Sequence, residues 1–235
     1  MPEIQEKNSR KDFIRNSLIL AVSGTAVLEV FNSCKDKEED EKEVSPPEDL
    51  MQEHGLLNRI LLIYDCCRTS LMNKNKFPAD ALQSSASIIR QFVEDYHEKQ
   101  EEDYLFTRFR KANQLTDLVQ ILLQQHNAGR KITDQLLEIS KTQGGFEADS
   151  QKIILLLSDF NTMYRPHEAR EDTVLFPAFR KLVSQHEYDS LGEEFEKNEQ
   201  KHFGKDGFES MVSRVEGIEK TLGIYDLAQF TPVVV

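Results

Sequence analysis

Apolar residues recur at helical spacing from Leu50 onward, which is the main signal for secondary structure in this chain. Polar, Gly and Pro positions divide the pattern into four long segments, at about 48–72, 79–111, 115–142 and 147–184. The connections are short, so we expect neighbouring helices to run antiparallel. The pattern predicts an all-α protein, with an up-down-up-down four-helix bundle over 48–185. A short helical extension should follow over 186–235 and end in an extended tail.

The N-terminal stretch 1–34 has a different pattern, with basic residues before a short apolar run at 17–31. Residues 9–14 resemble a twin-arginine export signal in which Lys11 replaces the second Arg, and 32–34 resemble a lipoprotein cleavage site ending at Cys34. We expect 1–34 to be an export signal that sends the protein to the cell envelope, in the periplasm or tethered to a membrane by a lipid on Cys34. A leader without a targeting role is the alternative, and a cytoplasmic location is less favoured.

Residues 35–47 are acidic, contain no apolar run and end in Pro46 and Pro47, so they are predicted to form a disordered linker. The whole chain carries a formal net charge of -12, which argues against nucleic acid as a partner and is compatible with cations as ligands. Its three cysteines cannot form a disulfide framework, and we interpret Cys66 and Cys67 as helix-face residues rather than a redox pair.

Two stretches, 96–106 and 166–176, match each other position by position when they are laid side by side. Each contains His-x-x-x-Glu followed by Leu-Phe, and each is preceded one helix earlier by another histidine. The interval between those two earlier histidines is nearly the same as the interval between the two stretches. The bundle therefore resembles two helical hairpins that supply the same residue types. The repeated polar residues, our candidate metal ligands, are His54, His97, Glu101, His126, His167 and Glu171.

Residues at i and i+4 share one face of a helix, so each His-x-x-x-Glu pair can reach a common centre. The candidate ligands also stand where Leu and Phe stand elsewhere in the apolar stripes, and buried carboxylates are costly unless they are paired or bind metal. The alternatives are satisfied core histidines and i,i+4 contacts on the surface. Four imidazoles and two carboxylates at repeat-related positions favour a shared metal site.

Several neighbours of these residues have open roles. Glu98 and Glu168 also obey the repeat, but a residue at i+1 points about 100° away on a helix, which predicts solvent exposure or a contact outside the ligand set. Tyr164 either packs or directs its hydroxyl toward the metal. Pro166 is expected to kink or break its helix just before His167. The remaining neighbours are assigned as follows: Arg59 and Arg130 to salt bridges, His186 to the surface, and His202 to no defined role.

At these residues the sequence resembles the hemerythrin-like (HHE cation-binding) family of bacterial type. The resemblance implies a non-haem di-iron centre in a four-helix bundle, with iron preferred over manganese or zinc. The chain departs from the oxygen-carrying hemerythrins, because Arg130 stands where they have a second histidine on the third helix. Asp172 has the spacing of their aspartate, whereas Glu171 has the spacing of the HHE subgroup. The set is closer to sensor-like and uncharacterised bacterial members.

The functional expectation is a protein that binds or senses oxygen or a related small ligand, nitric oxide or peroxide, at a carboxylate-bridged metal pair. Two alternatives stay open: a di-iron peroxidase or oxidase, and a protein of iron storage or handling. The spacing does not say which histidines share a metal, and the sequence predicts no oligomeric state.

Overall fold

The computed structural model describes residues 45–75, 79–142 and 145–234. Over these ranges the chain is helical and contains no strand, which confirms the all-α prediction. The predicted export signal at 1–34 and most of the predicted linker lie outside the described residues. Within the described ranges, no helix combines the length and apolar character needed to cross a membrane.

Four long helical runs account for most of the described residues between 46 and 182. The first, α1, starts two residues before its predicted start because Pro46 and Pro47 occupy its first turn, where a missing backbone N–H costs nothing. Ser45 precedes it, and its backbone N–H donates to the carboxylate of Glu48 at 3.0 Å. The regular helices are α1 (Pro46–Met72), α3 (Thr116–Ser140), α5 (Gln185–Phe203) and α6 (Gly207–Leu222).

The second and fourth runs, α2 and α4, are continuous but contain wider π-helical turns. In both runs a π turn begins at the glutamate of the His-x-x-x-Glu pair. Such turns are frequent at functional sites. Pro166 does not break α4, which remains helical on both sides of it. The parts of α2 are Ala79–Ile88, π Ile89–His97, Glu98–Gln100, π Glu101–Phe106 and Thr107–Ala112, and those of α4 are Ser150–Arg170, π Glu171–Leu175 and Phe176–Leu182.

The buried apolar side chains form two separate clusters rather than one. The larger includes Tyr64, Phe92 and Phe160, and the smaller is built around phenylalanines of α2 and α4 such as Phe109 and Phe179. A layer of polar side chains lies between them. The helices therefore bring their candidate ligands to the same level of the structure, enclosed by apolar layers.

The C-terminal helices α5 and α6 complete these clusters. Tyr188 and Phe195 of α5 join the smaller cluster, and Val215 of α6 joins the larger. Arg59 of α1 makes a two-pronged ion pair with Glu219 of α6, at 3.0 and 2.6 Å, which confirms its predicted structural role. Beyond α6 the chain forms one 3-10 turn, Leu227–Phe230, followed by the non-helical residues 231–234.

Candidate metal centre

The six candidate ligands converge in the polar layer between the two apolar clusters. All are buried, with exposed fractions between 0 and 4%. Two come from each of the composite runs α2 and α4, and one comes from each of α1 and α3. The i,i+4 spacing places both members of each His-x-x-x-Glu pair inside the bundle, as the sequence predicts.

The histidines form two pairs, which the sequence alone left open. The rings of His54 and His97 lie 4.9 Å apart between centroids, so α1 and α2 supply one pair. The Nε2 atoms of His126 and His167 are 3.2 Å apart, so α3 and α4 supply the other. Each helical hairpin therefore contributes one pair of imidazoles to the centre.

The carboxylates of Glu101 and Glu171 lie between the two imidazole pairs. An oxygen of Glu101 is 3.7 Å from Nε2 of His97 and 3.4 Å from Nε2 of His126. An oxygen of Glu171 is 3.5 Å from Nε2 of His54 and 3.0 Å from Nε2 of His167. Each carboxylate thus faces imidazoles of both pairs, and the other oxygen of Glu101 also lies 4.0 Å from Nε2 of His54.

These distances fit metal coordination. With metal–nitrogen and metal–oxygen bonds of about 2.1 Å, neighbouring ligand atoms lie about 3.0–3.4 Å apart. None of the four oxygens of Glu101 and Glu171 accepts a hydrogen bond within the described residues, although all are buried. Among the described residues, ligand atoms lie within 4.8 Å of one another in three groups: Glu101, His126, His167 and Glu171; His54, His97 and Glu101; and Glu98, Glu102 and His126.

The outer nitrogen of every imidazole is held by a neighbouring side chain, which aims Nε2 at the centre. Such partners fix the tautomer and orientation of metal-binding histidines. The Nδ1 contacts are His54 to Asp172 at 2.8 Å, His97 to Glu53 at 2.7 Å, His126 to Glu102 at 3.1 Å and His167 to Gln125 at 2.9 Å.

Aromatic rings enclose the centre from the side of the smaller cluster. Phe176 stacks on His54, with ring centroids 5.6 Å apart, and Phe106 stacks on His126 at 5.4 Å. These are the phenylalanines of the repeated Leu-Phe pairs. Their repetition therefore follows from a shared task, which is to hold the α1 and α3 imidazoles.

Glu98 and Glu168 are buried, so the solvent-exposed alternative is wrong for both. Glu98 accepts a hydrogen bond from the hydroxyl of Tyr164 at 2.6 Å and forms an ion pair with Arg130 at 2.6 Å. Glu168 accepts a close hydrogen bond from the side-chain amide of Asn58. Glu98 nevertheless borders the cluster, because ligand atoms of Glu98, Glu102 and His126 lie within 4.8 Å of one another.

The remaining predicted neighbours have structural contacts. Tyr164 packs its ring 4.3 Å from that of Phe160, while its hydroxyl binds Glu98 rather than the centre. Arg130 bridges Glu98 and Glu102, which confirms its predicted salt bridges. The two histidines outside the repeat, His186 and His202, are exposed, and Cys66 and Cys67 are free thiols on α1.

The protonation of the centre reflects two buried carboxylates facing each other. Burial and the charge of Glu171 raise the pKa of Glu101 to about 8. Burial opposes ionisation of Glu171 too, but the facing His167 and His54 lower its pKa to about 2. Burial lowers the pKa of His54, yet the hydrogen bond to Asp172 and the nearby glutamates raise it to about 9. Without a cation, the centre retains protons that a metal would replace.

The side chains that hold the imidazoles were missed from sequence, although a signal for them was present. Glu53 and Gln125 directly precede the histidines of α1 and α3, and Glu102 and Asp172 directly follow the two central glutamates. The two members of each pair are therefore separated by the same interval as the candidate ligands beside them. Glu102 and Asp172 already lie inside the two repeated stretches, and a comparison of the residues next to His54 and His126 would have identified Glu53 and Gln125.

The comparisons with known proteins agree with this geometry. The model of the hemerythrin HHE cation binding domain matches residues 45–179, and the chain belongs to this family. The matched range contains all of the candidate ligands and ends within α4, before α5 and α6. No solved structure matches the chain.

Related proteins occur in mycobacteria. An uncharacterized protein of Mycobacterium bovis is 46% identical over 195 residues, which cover 83% of this chain and 76% of that protein. An uncharacterized protein of Mycobacterium tuberculosis matches with the same identity and the same coverage. The similarity therefore extends well beyond the six candidate ligands.

Gly129 allows the close approach of α3 to Tyr164. A Cβ atom at this position would lie 2.1 Å from the hydroxyl of Tyr164, so Gly129→Ala must displace the tyrosine from Glu98. We expect a loss of about 1–3 kcal/mol in the free energy of unfolding, which is the usual cost of overpacking. Gly55→Ala is the matched control, because a Cβ there meets nothing within 4 Å and helix propensity favours Ala. Urea denaturation of both variants tests this; equal stabilities would contradict it.

Alkaline pH should destabilise the metal-free protein. Burial raises the pKa of Glu94 to about 7 and of Glu168 to about 8, and the pKa values of Glu101 and His54 are raised as described. Groups whose pKa is higher in the folded state stabilise it fully below their unfolded pKa, and that stability is lost as pH rises through the folded pKa. The pKa of His97 is lowered well below 6.5, so this group adds no slope above that pH.

The melting temperature in the presence of a chelator should therefore fall between about pH 6.5 and pH 9. Glu168→Gln should flatten this dependence because it removes one of the titrating groups. A melting temperature that stays constant or rises over this interval would show that these groups are not protonated as described.

Proposed function

We propose that this chain is a non-haem di-iron protein that binds or senses oxygen or a related small ligand, nitric oxide or peroxide. The observation that carries the proposal is the convergence of two imidazole pairs on two buried carboxylates whose oxygens accept no hydrogen bond within the described residues. A donor set of imidazole and carboxylate in a helical bundle suits iron, and manganese or zinc less well.

Each residue of the centre has a defined task in this proposal. His54 and His97 would hold one metal ion, His126 and His167 would hold the other, and Glu101 and Glu171 would supply carboxylate oxygens to both. Each metal would then have two nitrogen and two oxygen ligands from the protein, which would leave coordination positions open. An iron pair bound here supplies reversible binding of a small ligand through those positions.

The protein around the centre limits what can reach it. The candidate ligands are at most 4% exposed, and phenylalanine rings lie against two of the imidazoles. This enclosure favours small uncharged molecules over larger substrates, which supports a diatomic ligand or peroxide.

The proposal includes the topology of the bundle. An up-down-up-down arrangement is supported by contacts between α1 and α2, α2 and α3, α3 and α4, and α4 and α1.

A di-iron peroxidase or oxidase is the second candidate, because one observation favours it. The hydroxyl of Tyr164 and the carboxylate of Glu98 form a buried hydrogen bond of 2.6 Å, and the tyrosine ring lies 5.4 Å from that of His167. Tyr164 and Glu98 therefore hold a proton close to the centre while neither residue belongs to the ligand set. Turnover of peroxide would need such a proton donor. Steady consumption of peroxide by the iron-loaded protein would favour this candidate over reversible binding.

Metal content tests the proposal. After anaerobic reconstitution with ferrous iron, we expect two iron ions per chain and a change in the absorption spectrum on addition of oxygen. Zinc at one ion per chain would retain a metal site but remove the di-iron proposal, and many iron ions per chain would support storage instead. No bound metal would overturn the proposal.

Four substitutions separate the bridging carboxylates from their neighbours. Glu101→Ala and Glu171→Ala should each reduce iron binding below two per chain, because two cations would then share a single bridge at low dielectric. Glu98→Ala and Glu168→Ala should retain two iron ions, since these carboxylates contact Tyr164, Arg130 and Asn58 instead. Circular dichroism controls for folding. Equal losses at Glu98 and Glu101 would contradict the assignment of the bridges.

A further inference from the structure

The two halves of the centre match closely, which makes their differences informative. Each half has two imidazoles, and both share two carboxylates that lie within 4.0 Å of an imidazole nitrogen on either side. Each half also has one phenylalanine stacked on a histidine. Neither the number nor the type of ligands therefore distinguishes the two metal positions. The two positions differ in two pairs of surrounding residues.

The first difference concerns the partners of the α2 and α4 histidines. The carboxylate of Glu53 lies 2.7 Å from Nδ1 of His97, whereas the neutral amide oxygen of Gln125 lies 2.9 Å from Nδ1 of His167. A carboxylate partner makes the opposite nitrogen of an imidazole a stronger metal ligand than an amide does. It also adds one negative charge next to the cation. Both effects strengthen the position formed by His54 and His97.

The second difference concerns the residues that face the repeated glutamates Glu98 and Glu168. Arg130 contacts Glu98 and Glu102 at 2.6 Å each, which places a half-buried positive charge beside the half formed by His126 and His167. The corresponding residue of the other hairpin is Asn58, a neutral side chain that binds Glu168. A fixed cation weakens the binding of a metal ion nearby. This difference therefore acts in the same direction as the first.

We propose that the two metal positions are unequal: the position of His54 and His97 binds the first divalent cation tightly, and the position of His126 and His167 binds the second more weakly. The difference in metal affinity arises because the first position has Glu53 and Asn58 where the second has Gln125 and Arg130. The inference rests on the proposed function, in that both positions hold metal. A chain at limiting metal supply then carries a single ion at the tight position, and the second position is the one that exchanges.

Binding of Co²⁺ to the metal-free full chain tests this, because its visible absorption reports coordination without oxidation. We expect two steps whose Kd values differ about tenfold or more, which is within the effect of such partners on metal affinity. Glu53→Gln should weaken the first step about 10- to 100-fold and leave the second nearly unchanged. Gln125→Glu should tighten the second step and bring the two closer together.

Further variants assign the steps and control for charge. His97→Ala should abolish the tight step, and His167→Ala should abolish the weak one. Arg130→Asn, which copies Asn58, should tighten the second step. Glu193→Gln removes a charge from an exposed ion pair with Lys197 and should leave both steps unchanged. Circular dichroism of each metal-free variant confirms that it folds.

The outcomes separate this inference from the proposed function. Two Co²⁺ ions bound with equal Kd values would overturn the inequality and leave the di-metal site intact. The same holds if Glu53→Gln weakens both steps equally or if Gln125→Glu tightens neither. A chain that binds neither Co²⁺ nor iron would remove the proposed function itself.

Discussion

The opposition of two buried carboxylates is the constraint on which the centre depends. Glu101 and Glu171 are fully buried, and burial of two such groups costs several kcal/mol unless positive charge compensates them. Imidazoles surround both, but neutral imidazoles offer only partial compensation. The protein without metal retains protons at this place, as the raised pKa values of Glu101 and His54 indicate. A pair of cations would remove the conflict, which explains why a helical bundle can keep these residues in its interior.

The two-layered core follows from the same constraint. A continuous apolar core would leave no place for the polar cluster, so the apolar side chains divide into a layer above it and a layer below it. Each layer also receives residues from α5 or α6, which lie beyond the range of the family match. The low dielectric of both layers strengthens every charge interaction at the centre. It also makes the outer partners of the imidazoles necessary, because an unpaired buried nitrogen would be costly.

Much of this arrangement could be predicted from the sequence, because periodicity and repetition report directly on faces of helices. The four long segments, the i,i+4 pairs and the salt bridge of Arg130 all follow from spacing. The pairing of His54 with His97 did not, because it depends on how the helices pack and not on any one helix. The burial of Glu98 and Glu168 was open for a similar reason: an angle of about 100° from the ligand face leads to solvent in an isolated helix, but to the partners Tyr164 and Asn58 in the bundle. The helix continues through Pro166, so of the predicted kink or break the break does not occur.

The π turns of α2 and α4 have a consequence for how the sequence of this domain can vary. A π turn contains one more residue per hydrogen-bonded ring than an α turn, so it acts like a single inserted residue that the helix absorbs locally. Removal of one residue from Glu101–Phe106 would let the helix return to regular α geometry without breaking the chain. Because the π turn already absorbs the extra residue, the part of the helix after the deletion would keep its face toward the bundle, and Phe106 would stay against the ring of His126. In this region the chain can therefore lose one residue without changing the helix register that relates the ligands to the layer that encloses them.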